Sequence, residues 1–138
     1  MTPRGLLLWF LVGITVFALP VALMAQEAVV IDIAVKPGGS PHAINVKSHG
    51  NTPVALLCSP SFDPAMVDRT SVRLGNAGAV QCHFADVNMD GCIDLVCHAE
   101  TAALGVTCDS TELTLVARLH DGTRVTGTDT IVPVPCQD

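Results

Sequence analysis

Glu112-Leu113-Thr114-Leu115-Val116-Ala117-Arg118-Leu119, then His120-Asp121-Gly122-Thr123, then Arg124-Val125-Thr126-Gly127-Thr128: this stretch decides the fold class. Successive side chains of a strand point to opposite faces, so Leu113, Leu115, Ala117 and Leu119 share one apolar face. Asp121-Gly122 is a strong short hairpin signal, because a glycine there accepts the positive φ that a tight turn demands. An isolated hairpin is marginal in water, so more strands must cover that apolar face.

Working outward, the same grammar of short apolar runs and turn residues recurs along the chain. Residues 29–35 are β-branched and strand-like, and Lys36-Pro37-Gly38-Gly39-Ser40-Pro41 stops them. Residues 43–47 alternate, 53–58 form a short apolar run, and 71–74, 79–85 and 93–98 read as further strands. Residues 131–134 close the set before Pro135. Helical turns are expected only at 63–67 and 100–105. Seven or so short strands with Gly and Pro turns predict an all-β chain, a single-domain β-sandwich. No repeat, linker or low-complexity tract interrupts it.

The first residues follow a different logic. Arg4 precedes a run from Leu6 to Leu19 broken only by Gly13 and Thr15, Pro20 ends it, and Ala25 precedes Gln26. This layout predicts a secretory signal peptide over residues 1–25 and a mature domain over 26–138. The competing expectation is an uncleaved anchor, since residues 5–25 are long enough to span a bilayer. Pro20 and the lack of a following basic cluster favour cleavage. Removal of 1–25 leaves 6 basic and 13 acidic side chains, a formal charge of −7. An acidic exported domain is a poor partner for nucleic acid or anionic lipid, so neither is expected, and no membrane association is expected after cleavage. Trp9, Phe10 and Phe17 leave with the signal peptide, and only Phe62 and Phe84 remain as aromatics. That argues against functions that stack flat ligands on aromatic platforms.

Cys58, Cys82, Cys92, Cys97, Cys108 and Cys136 all lie in the mature part, and an even count after an export signal reads as disulfides. Six cysteines allow about 15 connectivities. The expected pairs are Cys108–Cys136, which flank the last hairpin, Cys82–Cys92, which would staple the acidic loop between them, and Cys58–Cys97 by elimination. Cys82-His83 and Cys97-His98 raise a zinc alternative, but the spacing fits no zinc pattern, and neighbours on a strand point apart.

One motif carries chemistry. Asp86-Val87-Asn88-Met89-Asp90-Gly91-Cys92-Ile93-Asp94 places oxygen donors at alternate positions around a glycine. Asp86, Asn88, Asp90, the backbone carbonyl of Cys92 and Asp94 form a ligand set of hard oxygens, which suits Ca²⁺ better than the stricter octahedron of Mg²⁺. An EF-hand would need a bidentate Glu at the twelfth loop position, where Cys97 stands, and the following residues are strand-like. The expectation is therefore a calcium-type loop between strands. His98-Ala99-Glu100 lacks the Cys pair of a zinc deaminase, and neither H-E-x-x-H nor G-x-S-x-G occurs. No catalytic constellation emerges, and the protein is not expected to be an enzyme.

Residues 31–45, I-D-I-A-V-K-P-G-G-S-P-H-A-I-N, resemble an I-D-I-K-P-G-S-x-P-N-x-I-N signature. Pro53-Val54-Ala55-Leu56-Leu57 with Phe62-Asp63 and Val67-Asp68 resembles its P-V-A-I-L…F-D…V-D continuation. Residues 86–96 are similar to D-V-N-G-D-G-x-x-D-L-V, and Asp121-Gly122 with 127–131 resembles a D-G…G-S-D-x-I ending. Together these resemble a small secreted bacterial β-domain family with no established activity. The resemblance implies a β-rich fold and a calcium-type loop at Asp86, Asn88, Asp90 and Asp94. The chain departs from it at Ala34-Val35, extra residues that suggest a bulge before Lys36, at His42 in place of Asn, and at Met89 in place of Gly.

The combined expectation is a secreted or cell-surface, disulfide-bonded, calcium-stabilised module that binds an extracellular protein or polysaccharide or serves structurally. The alternative is a self-assembling extracellular subunit whose N-terminal strand, residues 26–35, pairs with a neighbour's sheet edge.

Overall fold

Among the described residues ten strands form, largely where the apolar runs lie. In chain order they are β1 (Val29–Val30), β2 (Ile33–Val35), β3 (Ala43–Asn45), β4 (Asn51–Leu56), β5 (Val67–Leu74), β6 (Ala77–Ala85), β7 (Asp94–Glu100), β8 (Glu112–Leu119), β9 (Arg124–Thr130) and β10 (Val132–Val134). The computed structural model describes residues 27–39 and 42–136, so the expected signal peptide, 1–25, lies outside the described residues. Among the described residues there is no α-helix. The two expected helical turns are single 3₁₀ turns at Pro64–Met66 and Thr101–Ala103. Asp63 caps the first, its carboxylate accepting from the Ala65 amide at 3.0 Å.

Eight strands hydrogen-bond in the order β1-β9-β8-β5-β6-β7-β4-β2, while β3 and β10 pair in parallel as a small second sheet. The large sheet folds over at β6. That strand meets β5 only at Ala77 and Gly78, then pairs with β7 from Ala79 to Ala85. The result is a β-sandwich with β9, β8 and β5 in one layer and β7, β4 and β2 in the other.

The core follows from the period of two. On β8, Leu113, Leu115 and Ala117 are buried while Thr114, Val116 and Arg118 face out. From the opposite layer, Val35, Val54, Leu56, Leu95 and Cys97 are fully or almost fully buried and join the same apolar cluster. Full burial of a Leu or Val side chain stabilises by about 1.5–3 kcal/mol, so this stripe fixes the facing of both layers. The hairpin between β8 and β9 uses a three-residue loop. The Leu119 amide donates to the Thr123 carbonyl at 2.8 Å, and Gly122 takes φ +92°.

Residues 29–35 close the sandwich. β1 pairs in parallel with β9, the Ile31 amide donates to the Thr126 carbonyl at 2.8 Å, the Leu57 amide donates to the Asp32 carbonyl at 3.0 Å, and β2 pairs with β4. One continuous segment therefore bonds first to one layer and then to the other. The backbone expected to reach a neighbouring molecule is paired within its own chain in this structure. The bulge suggested before Lys36 is not present: Ile33, Ala34 and Val35 meet Leu56, Ala55 and Val54 in unbroken register, and Lys36, at φ +53°, begins the turn instead. The Lys36 ammonium donates to the Ala43 carbonyl at 2.7 Å, which steadies that turn.

The seam where this segment crosses β9 is tight. A methyl group on Gly127 would lie 2.7 Å from Ile33 Cγ2 and 2.8 Å from the Ile31 carbonyl oxygen. Gly127→Ala is therefore expected to cost about 1–3 kcal/mol through overpacking, read as a lowered urea midpoint at unchanged m value.

Candidate functional site

The expected ligand residues sit in the turn that joins β6 to β7. Gly91 takes φ +85° and Met89 φ +58°, two left-handed positions within three residues, which bend the chain back sharply. Met89 points outward and is 89% exposed. The turn is knitted by its own carboxylates. Asp86 accepts from the Asp90 amide at 3.2 Å and the Gly91 amide at 2.8 Å, and Asp90 accepts from the Cys92 amide at 2.9 Å. The Gly91 amide, ahead of the Asp90 contacts, holds the Asp86 carboxyl below the usual range. Its contribution to stability is present above the ordinary carboxylate pKa and is lost as the pH falls through the lowered one.

Asp94 behaves differently from the other four. It opens β7, is fully buried, and accepts with one oxygen from the Cys58 amide at 2.7 Å and with the other from the Val87 amide at 3.0 Å. It ties the end of β4 to the start of the acidic turn from below. Asn88 and Asp90 are exposed and Asp86 is half-buried on the turn itself. Their side-chain oxygens and the Cys92 carbonyl are of the donor type a hard cation takes, and each carboxylate oxygen retains a lone pair beyond its amide bond. Among the described residues, no three His, Cys, Asp or Glu side chains converge into a metal-holding group.

The chain forms three disulfides, two of them at this turn and its flanking strands, and two of the expected pairings are corrected. Cys108–Cys136 is formed as expected. In place of Cys82–Cys92 and Cys58–Cys97, Cys82 bonds to Cys97 and Cys58 bonds to Cys92. The reason is register. Cys82 on β6 stands directly opposite Cys97 on β7. Asp94 meanwhile pulls the Cys58 backbone to the start of β7, two residues from Cys92, leaving their Cα atoms 5.7 Å apart. The acidic turn is thus stapled to the end of β4 and not to β6.

Histidines occupy two other places. His83 and His98 stack on neighbouring strands with ring centroids 5.5 Å apart. His42 meets Asp129 at 2.9 Å, and the same Asp129 oxygen accepts from the Val35 amide at 2.8 Å, joining β2 to β9 through a side chain.

A further group was not anticipated. Arg73, Arg118 and Arg124 line a groove of about 360 Å³ on the outer face of the β5–β8–β9 layer. The signal lay in the hairpin: with the turn centred on His120–Gly122, residues 118 and 124 must face each other. Comparison with family models, with curated proteins and with solved structures finds no match to this chain.

Proposed function

We propose that this protein is an extracellular binding or structural module in which the β6–β7 turn takes up Ca²⁺. Three disulfides in a small β-sandwich fit a stable extracellular module. No described helix is long and apolar enough to cross a membrane. The observation that carries the calcium reading is the construction of the turn. Asp86, Asn88 and Asp90 stand at alternate positions around Gly91, and the turn is stapled by Cys58–Cys92 and seated on buried Asp94. The likeness of residues 86–96 to a D-V-N-G-D-G-x-x-D-L-V signature supports the same reading. Ca²⁺ held by Asp86, Asn88, Asp90, the Cys92 carbonyl and Asp94 would supply charge neutralisation and stiffness to a turn crowded with carboxylates.

A cation that binds the folded turn and not the unfolded chain stabilises by mass action. For an extracellular site with an affinity of roughly 10⁻⁴ to 10⁻³ M, a tenfold excess of calcium contributes about 1.4 kcal/mol. Calcium is therefore expected to raise the melting temperature by on the order of 5 °C over chelator, with Mg²⁺ giving less. Asp90→Ala is expected to abolish the difference. Equal melting curves in chelator and in millimolar calcium, with all disulfides intact, would reject the calcium reading.

A further inference from the structure

The Arg groove stands out against the charge of the rest of the chain. Beyond residue 25 the sequence holds six basic side chains and 13 acidic ones, yet three of the six line this one groove. Register puts them there. Arg118 on β8 lies directly opposite Arg124 on β9, and Arg73 on β5 lies opposite Val116, the next outward position along β8. Like charges directly opposite each other destabilise a strand pair.

No direct ion pair among the described residues neutralises these arginines, although Asp68 attracts Arg118 from a distance. The single ion pair among the described residues is His42 with Asp129, on the far side of the hairpin end. Asp68 stands across from Arg118 but is occupied locally: the Thr70 hydroxyl donates to it at 2.7 Å and the Thr70 amide at 3.1 Å. Ser71 is spent as well, donating to the Asp68 carbonyl at 2.6 Å and accepting from the Arg118 amide at 2.8 Å. Arg73 gives one guanidinium nitrogen to the Asn76 carbonyl at 2.7 Å and keeps the others. The groove's neutral donors are used up, and its guanidinium donors remain.

We propose that this groove binds an acidic segment of a partner protein, with Asp or Glu carboxylates held by Arg73, Arg118 and Arg124. Guanidinium forks match carboxylates in bidentate geometry, and Arg is enriched in protein interfaces. Val116, 40% exposed in the groove, offers an apolar contact to the stems of such side chains. No aromatic ring lines the groove for a sugar to stack on. Between β8 and β9 the backbone is paired throughout, so Arg118 and Arg124 are presented to a partner through their side chains. A charged patch this short, bordered by Asp68 in an acidic domain, suits a few closely spaced carboxylates and not a long polyanion. This inference rests on the reading of the protein as a binding module and is independent of calcium.

The test is fluorescence anisotropy of a labelled oligoglutamate peptide, in chelator and again in millimolar calcium, beside a Gly-Ser control peptide. Saturable binding of oligoglutamate is expected in both buffers. Raising salt from about 20 to about 200 mM should weaken it severalfold, since the contact is charged and exposed. The double variant R118Q/R124Q should bind at least about tenfold more weakly, a loss of about 1.4 kcal/mol. Its melting temperature should equal or exceed that of the wild type, because the opposed charges are gone. Arg118→Lys, which keeps the charge and loses the fork, should fall between. Absent saturable binding, or binding unchanged in the double variant, would overturn the proposal. So would preference for oligogalacturonate over oligoglutamate, which would make the groove a glycan site. Self-association of the protein alone that R118Q/R124Q dissolves would also overturn it, by making a second copy the occupant. Loss of peptide binding with calcium stabilisation intact would reject the groove and leave the calcium turn standing.

Discussion

Reduction of the three disulfides is expected to unfold this domain at room temperature. Cys58–Cys92, Cys82–Cys97 and Cys108–Cys136 join residues 34, 15 and 28 positions apart. On the chain-entropy account each closed loop is worth about 3–4 kcal/mol. The first two loops share residues 82–92, so the sum is an upper bound, yet it still reaches roughly 10 kcal/mol. Small domains have only about 5–15 kcal/mol in total. The expected result is loss of the cooperative thermal transition and of the β-type circular dichroism signal in excess reductant. A reduced protein that melts cooperatively within a few degrees of the oxidised one would show that the apolar core suffices. Individually, replacing Cys58 and Cys92 by Ala should cost more than replacing Cys82 and Cys97. The longer loop constrains the unfolded chain more, and Cys82 and Cys97 already face each other across paired strands.

Asp94→Ala should be the most damaging single substitution outside the cysteines. The carboxylate is wholly buried and satisfies two backbone amides, those of Cys58 and Val87, from opposite sides. Its removal leaves both donors without that partner beside a buried void. Hydrogen bonds to a charged group contribute about 1.5–3 kcal/mol each, so the loss should be about 3–6 kcal/mol. Asp94→Asn should cost roughly half of that, because its amide retains one acceptor oxygen. Urea unfolding in chelator, at unchanged m value, isolates this structural cost from any effect of calcium. Asp90→Ala is the control. It removes an exposed carboxylate that accepts one amide, and should cost about 1 kcal/mol or less under the same conditions. An Asp94→Ala midpoint as mild as that of Asp90→Ala would mean the two amides find other partners.

The β8–β9 hairpin shows how far local pattern reaches. Leu113, Leu115 and Ala117 face the core because a strand alternates, and Gly122 turns the chain because it tolerates positive φ. Both are properties of neighbouring residues, so both were legible. The acidic turn was legible for the same reason: its donors lie within nine residues, and Gly91 marks the bend. β5 was only partly legible. It starts at Val67 and not at residue 71, because the polar stretch between Asp68 and Arg73 breaks the alternation where the register with β8 shifts.

What the sequence determined by itself, then, was the buried face of β8, the position of the main turns, the even set of cysteines and the donor-rich turn. All of these depend on spacing within a few residues, which backbone geometry alone translates into structure. The tertiary structure decided everything that depends on which distant strands meet. Cys82 pairs with Cys97 because β6 and β7 align there, and Cys58 reaches Cys92 because Asp94 anchors the end of β4 beside it. Residues 29–35 split between two layers because β9 and β4 are brought to either side of them. Arg73 joins Arg118 and Arg124 because β5 lies next to β8. Contacts of this kind are selected by the packing of the whole core, where a shift of one residue would turn every side chain to the other face, and no single segment carries that information.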